Sequence, residues 1–230
     1  MIPEADPPLP GRSASLLGAT GLVGSHCLDL LLEDSRYDRI RVVSRRSVGR
    51  RHPRLEAIIV DFERLGERPE LFAVDDVFCC LGTTMARAGS EEAFRRVDRD
   101  YPVLAAELAA AQHADQFLIV SALGADPHSR IFYNRVKGEA EAAVKRLPFG
   151  AVWILRPSLL LGERAEMRIG ERMAVAVARP LAPLMVGPLR RYRPLDARDV
   201  ALAMIHLAHQ HGTGGVVESH EIIDLARIDA

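Results

Sequence analysis

The sequence predicts an α/β fold: a doubly wound parallel sheet with helices on both faces, in a single domain with a small C-terminal substrate or lid region. Three observations carry this. Short apolar runs alternate with helical apolar patterns along the chain, the order of repeated strand–helix–strand units. The first run leads through a turn with three glycines directly into a helix. The chain has 230 residues, one domain's length and enough to bury an independently stable core.

The first strand is Ser13-Ala14-Ser15-Leu16-Leu17. It runs into Gly18-Ala19-Thr20-Gly21-Leu22-Val23-Gly24, and an apolar-periodic helix extends from Leu22 through Leu32. Strand, glycine turn and helix in that order are the context of a Rossmann-type nucleotide fingerprint. Gly18 permits the tight turn, Gly21 lets backbone approach a pyrophosphate, and Gly24 lets the helix pack close to the strand. The helix N-terminus offers free N–H groups and a positive dipole end to the phosphates. The spacing, G-x-x-G-x-x-G, is one residue longer than the common dinucleotide form.

The second strand is Ile40-Arg41-Val42-Val43. NAD-binding versions place an acid about twenty residues beyond the turn, where it holds the ribose 2′-hydroxyl. Here the strand runs into Ser44-Arg45-Arg46. Two guanidiniums suit a 2′-phosphate, which arginine grips with paired, charge-assisted hydrogen bonds, so NADP(H) is favoured over NAD(H). A solvated basic turn, like Arg50-Arg51 nearby, has the same composition.

The third strand, Ala57-Ile58-Ile59-Val60, ends at Asp61 and Phe62, and the acid can accept from the exocyclic amine of adenine. The fourth is Val77-Phe78-Cys79-Cys80-Leu81, followed by Gly82-Thr83-Thr84. Gly82 lets backbone pass close to a cofactor, whereas the threonines suit a cofactor contact or a strand-ending turn equally. Helical stretches follow from Ser90 to Val97 and from Tyr101 to Gln112. The strand Phe117-Leu118-Ile119-Val120 ends at Ser121, where open α/β sheets place ligands. A helix from Tyr133 to Arg146 and a strand Val152-Trp153-Ile154-Leu155 complete the alternation.

Tyr133 and Lys137 give this nucleotide-binding pattern an acid. The chain has only two lysines, Lys137 and Lys145, among its thirty basic residues. Four residues apart on a helix, Tyr133 and Lys137 share a face. A neighbouring ammonium favours tyrosinate, so it lowers a phenol pKa and suits Tyr133 to proton exchange near neutrality. A compact ammonium can touch both a phenol and a ribose hydroxyl, which the planar fork of arginine cannot do as well.

With the glycine turn, Ser121, Tyr133-Asn134-Arg135-Val136-Lys137 and Leu155-Arg156-Pro157, the chain resembles a short-chain dehydrogenase/reductase of the extended or atypical kind. More narrowly it is similar to the Tat-interactive-protein-like NAD(P)-binding oxidoreductases. The matching stretches are Cys79 to Thr84, Val97-Asp98-Arg99-Asp100-Tyr101, Val136-Lys137-Gly138-Glu139 and Arg156-Pro157-Ser158-Leu159-Leu160. The resemblance spans roughly residues 13 to 210. It implies an NADP(H)-dependent oxidoreductase acting on a carbonyl or secondary alcohol. Ser121 would hydrogen-bond the substrate carbonyl, Tyr133 would give or take the proton, and Lys137 would bind the nicotinamide ribose and tune Tyr133. The cofactor would lie along Gly18, Thr20, Gly21, Leu22, Val23, Gly24, Ser44, Arg45, Arg46, Asp61, Phe62, Leu81, Gly82, Thr83, Thr84, Tyr133, Lys137 and Pro157.

One departure stands out. Members with the full proton relay often carry an asparagine on the helix before Ser121, and here Val97-Asp98 takes that place, so the relay role is not carried over to Asp98. The narrower family also includes members discussed chiefly as regulators. A cofactor-sensing protein that binds a protein partner without turnover is therefore the alternative. For a third reading, an NADP-dependent nucleotide-sugar epimerase or dehydratase, the chain is short.

The formal net charge is −1, and no basic field suggests nucleic acid. Cys27, Cys79 and Cys80 have no zinc spacing, and the adjacent pair cannot bridge without strain, so a reducing cytoplasm is expected. Residues 1–12 are acidic and proline-rich at their start and read as a flexible tail, not a signal peptide. Residues 158–195 form the expected substrate or lid segment. Within it the apolar run 173–186 suits a core helix and loop, a lid or a membrane-surface patch, but it is too short and interrupted to span a bilayer. Beyond Pro194 another helix starts, with Asp199 as a cap or local partner. His206, His209 and His211 sit near its end, where imidazolium suits the dipole, with no carboxylate placed to complete a metal site.

Overall fold

The computed structural model describes residues 11–161, 187–210 and 212–228. A seven-stranded sheet runs through it: β1 (Arg12–Leu17), β2 (Tyr37–Ser44), β3 (Leu55–Ile59), β4 (Asp76–Cys79), β5 (Gln116–Val120), β6 (Ala151–Arg156) and β9 (Gly214–Glu218). Their order is β3-β2-β1-β4-β5-β6-β9, and every neighbouring pair is parallel. β7 (Leu160–Leu161) and β8 (Leu195–Asp196) form a separate parallel pair.

The central strands are buried on both faces, which is why they read as continuous apolar runs and not as alternations. On one face, α1 (Leu22–Glu33), α6 (Ala197–Ala208) and α7 (Ser219–Leu225) share a core with Leu16, Val42, Phe78 and Leu118. On the other, α4 (Tyr101–Ala111) and α5 (Phe132–Val144) pack with Leu17, Val43, Phe117 and Ile119. Strand order reverses between β1 and β4, so a crevice opens at their carboxyl ends, the position at which such sheets hold ligands.

The expected strands and helices are present, with ends displaced by up to three residues, the largest shift being the start of β2 at Tyr37. β1 begins at Arg12, one residue inside the expected tail. Its guanidinium pairs with the fully buried Asp76 at 2.7 Å, and Asp76 also accepts from the hydroxyl of buried Tyr37 at 2.8 Å. This network closes the end of the sheet opposite the crevice.

The stretch from Ser90 to Gln112 is one helical rod, not two helices. α3 (Glu91–Arg95) is capped by the Ser90 side chain and runs through a π turn, Arg96–Asp100, into α4. Pro102 has no N–H to give the carbonyl of Asp98, four residues back, and its ring crowds that carbonyl. The backbone widens instead, and the Tyr101 N–H reaches the carbonyl of Arg96.

Three expectations near the C-terminal end change. Asp196, not Asp199, caps α6, accepting from the Arg198 N–H at 2.9 Å. Asp199 lies inside the first turn, where burial and neighbouring Asp196 raise its carboxyl pKa. At the other end of α6, His209 is not an exposed imidazolium: burial, then Arg36, lower its pKa, and its Nε2 meets Asp34 Oδ2 at 2.8 Å. β9 and α7 extend the fold beyond the anticipated elements. Gly214, with φ of +87°, leads β9 in, where a Cβ would meet the Val152 carbonyl oxygen at 2.2 Å.

Residues 1–10, 162–186, His211 and 229–230 lie outside the described residues, and with them most of the expected lid segment, the whole apolar run 173–186 and one of the three histidines His206, His209 and His211. Among the described residues no group of three or more metal-binding side chains gathers.

Candidate nucleotide-binding and catalytic site

The glycine turn joins the carboxyl end of β1 to α1. Gly18 has φ of +83°, which only glycine adopts easily, and a Cβ there would lie 2.4 Å from the Cys80 carbonyl oxygen. The two sides of the crevice therefore touch backbone to backbone. A Cβ on Gly24 would stand 2.1 Å from the Gly18 carbonyl oxygen, so this glycine sets how closely α1 sits on the turn. Gly21 is the N-cap of α1 and is exposed. It supplies no side-chain cap, and no acid occupies the first turn. Thr20 is exposed beside it, Leu22 is half-buried, and Val23 is buried in the core. These features fit a dinucleotide pyrophosphate: a bare helix N-terminus, a glycine surface and no carboxylate in the first turn of α1.

At the end of β2, Ser44 is buried and its hydroxyl donates to the Arg46 carbonyl at 2.6 Å. That bond turns the chain, and Arg45 and Arg46 project as exposed side chains. Among the described residues neither has a carboxylate in ion-pair range. Asp61, after β3, is exposed and accepts the Glu63 N–H at 3.1 Å, capping a 3-10 turn. Phe62 is buried and packs edge-on against Tyr101, with centroids 5.4 Å apart.

Beyond β4, Leu81 packs on the core and Gly82 is exposed. Thr84 caps the short helix α2 (Met85–Ala88). The Thr83 N–H donates to Asp98 Oδ2 at 2.9 Å. Cys80 lies against Cys27 and against Met204 Sδ at 3.7 Å. All three cysteines are free thiols. Burial pushes Cys79 up to about 12, which leaves that thiol unreactive.

Tyr133 and Lys137 stand on α5. The Tyr133 ring is half-buried against Phe94, with centroids 5.3 Å apart. Lys137 is buried, and its Nζ meets Asp98 Oδ1 at 2.8 Å. Burial works against its charge, but Asp98, with Tyr133 and Cys79 around it, raises its pKa above the usual lysine value. A Cβ on Gly82 would lie 3.4 Å from Asp98 Oδ1 and 3.6 Å from Lys137 Nζ, so the pair sits directly beneath the loop that follows β4. α5 reaches this depth because Gly138 passes the preceding loop closely: a Cβ there would stand 2.2 Å from the Asp126 carbonyl carbon.

Ser121 is also buried at the end of β5, but its one proton is engaged. The hydroxyl donates to Glu141 Oε1 at 2.5 Å, and Glu141 is held by Arg156 through contacts of 2.9 and 2.6 Å. Arg156 reaches on to Glu218 at 3.1 Å. In this arrangement Ser121 presents lone pairs, not a donor, to the crevice. Pro157 is buried at the end of β6, and its carbonyl accepts the Leu123 N–H at 2.9 Å. Glu141 and Asp98 were not read from the sequence as site residues. The one-turn spacing of Glu141 from Lys137 on α5 was its only signal.

This fold and crevice define a nicotinamide-dinucleotide-binding protein. The sequence profile described as the NAD dependent epimerase/dehydratase family matches residues 14–220, and the chain belongs to that family. It is 40% identical over 167 residues to Protein HTATIP2 of Rattus norvegicus, covering 71% of this chain and 69% of that protein. To the mitochondrial Protein FMP52 of Debaryomyces hansenii it is 30% identical over 214 residues, 90% of this chain and 93% of the relative. Its fold is similar to that of MoeE5 in complex with UDP-glucose and NAD, with a TM-score of 0.67 at 15% identity, over 95% of this chain and 82% of that one. UDP-glucose 4-epimerase of Thermotoga maritima gives 0.65 at 15% identity, over 94% and 82%. No helix among the described residues is long and apolar enough to cross a membrane.

Proposed function

We propose that this protein is an NADP(H)-dependent oxidoreductase acting on a carbonyl or secondary alcohol. The observation that carries the reading is the placement of Tyr133 and Lys137 on one face of α5, with the Lys137 ammonium beneath Gly82 at the strand-order reversal. When bound, the cofactor supplies or accepts the hydride at the carbonyl carbon. Tyr133 gives its phenolic proton to the carbonyl oxygen in reduction and takes it back in oxidation. Lys137 holds the nicotinamide ribose through the N–H groups that Asp98 leaves free. Arg45 and Arg46, exposed where the ribose acid of NAD-binding relatives would stand, support a 2′-phosphate and hence NADP(H). The three cysteines are free thiols, which agrees with a reducing compartment, and we assign the protein to the cytoplasm; fractionation tests this against the mitochondrial naming of the FMP52 relatives.

A screen of carbonyl compounds that follows loss of NADPH absorbance tests the reading. Tyr133→Phe keeps the ring against Phe94 and removes the proton, so it should leave NADPH binding near normal and lower turnover by roughly 10²–10⁴. Full activity of Tyr133→Phe on a verified substrate would overturn the assignment.

One observation favours a second reading, a regulator that binds NADP(H) and a protein partner without turnover. The Ser121 proton, which should polarise the substrate carbonyl, goes to Glu141 instead. Binding of NADPH that alters affinity for a protein, with no carbonyl or alcohol ever turned over, would select this reading.

A further inference from the structure

We propose that Asp98 is a positioning residue whose direct ion pair keeps Lys137 cationic inside the protein and holds it beneath the crevice, in place of a neutral amide on this helix. What Lys137 touches there rests on the oxidoreductase reading; the ion pair and its consequence do not.

The geometry assigns Asp98 two tasks. Oδ1 meets Lys137 Nζ at 2.8 Å, and Oδ2 accepts the Thr83 N–H at 2.9 Å. One carboxylate thus ties the π turn, α5 and the loop after β4 to a common point. The π turn makes this possible, because Pro102 prevents a regular helix through Asp98 and the widened backbone delivers the side chain inward, where it is 1% exposed. Such a buried carboxylate needs a cation, and such a buried ammonium needs an anion.

Among the described residues, the other groups around Lys137 do not supply that anion. Tyr133 on its own helix and Cys79 on β4 face it, but both are uncharged in their protonated forms, and burial keeps the Cys79 thiol protonated. The loop contributes Gly82, which cannot ionise. Glu141, one turn further along α5, is engaged with Ser121 and Arg156. Asp98 is therefore the counter-charge of Lys137. An asparagine there would accept a hydrogen bond but leave the ammonium uncompensated, and burial would then favour the neutral amine.

The chain itself makes the test simple, because it has only two lysines and Lys145 is exposed. Protein grown with lysine carrying ¹³C at Cε gives two resonances to follow against pH, Lys145 serving as internal reference. In the unmodified protein Lys137 should keep its charge to a higher pH than Lys145. Asp98→Asn should move the Lys137 midpoint below that of Lys145, by about one pH unit or more. Asp98→Glu should restore the original order. In Asp98→Asn, NADPH affinity should fall as pH rises through the new midpoint, while the unmodified protein shows no loss over that range.

A Lys137 midpoint at or below that of Lys145 in the unmodified protein would overturn the proposal without any variant. So would an unchanged midpoint in folded Asp98→Asn. If the midpoints move as expected and NADPH binds none of the proteins, the role of Asp98 stands and the cofactor reading falls.

Discussion

The Ser121 hydroxyl donates to Glu141 Oε1 over 2.5 Å, and Arg156 holds both oxygens of the same carboxylate. A residue expected to face a substrate is thereby built into a polar chain that runs from the end of β5 through α5 and β6 to the partly exposed Glu218 on β9. The chain fixes the direction of the Ser121 proton and ties the edge strand to the sheet.

Removing its centre should be costly. Glu141→Ala leaves Arg156 without its main partner and Ser121 without an acceptor, and should destabilise the fold by about 3 kcal/mol, at the lower end for a broken buried pair because Arg156 is partly exposed. Glu141→Gln keeps a carbonyl acceptor for Ser121 and should lose less. Urea midpoints of the two variants measure this, and equal stability of Glu141→Ala and the unmodified protein would contradict it.

Two glycines of the turn, Gly24 and Gly21, should separate by assay. Gly24→Ala places a Cβ 2.1 Å from the Gly18 carbonyl, so it should lower the thermal midpoint by several degrees. Gly21→Val meets that same oxygen at 3.1 Å from its Cβ and points into exposed space, so the fold should largely survive while NADPH binding is lost. Calorimetric titration that finds normal binding to Gly21→Val would displace the pyrophosphate from this turn.

Cofactor choice should reside in the turn after β2. The unmodified protein should bind NADPH more tightly than NADH by at least about tenfold, and replacing Arg45 and Arg46 by alanine should remove most of that preference. Fluorescence titration with both cofactors reads it. Equal affinities in the unmodified protein would sink the assignment.

Stability should fall on mild acidification through His209. Burial and Arg36 hold its folded-state pKa below the unfolded value of about 6.5, so protons bind the unfolded chain first as pH drops. Its contribution is present above about pH 6.5 and is lost as pH falls through the folded value. His209→Gln keeps a donor for Asp34 and cannot titrate, so its urea midpoint should fall less between pH 7 and pH 5.5 than that of the unmodified protein. Asp34 acts at lower pH. Burial opposes its charge, but the hydrogen bonds from Arg36 and the charge of His209 outweigh this and lower its pKa, so its contribution is lost only below about pH 4.

The sequence by itself determined the doubly wound sheet, the glycine turn and the face of α5 that carries Tyr133 and Lys137. Each is a local signal: apolar runs of strand length, glycines at a turn, and a four-residue helical spacing. It did not show β9, because Gly214 and Gly215 open that strand and leave too few residues for a pattern. Nor did it show the partners of the site. Asp98 is 39 residues from Lys137, and Glu141 is 20 from Ser121. A carboxylate in a sequence looks the same whether solvent or an ammonium faces it. Only the tertiary structure decided which, because the π turn and the packing of α5 against the loops after β4 and β5 remove water from both carboxylates and leave a fixed cation or hydroxyl in its place.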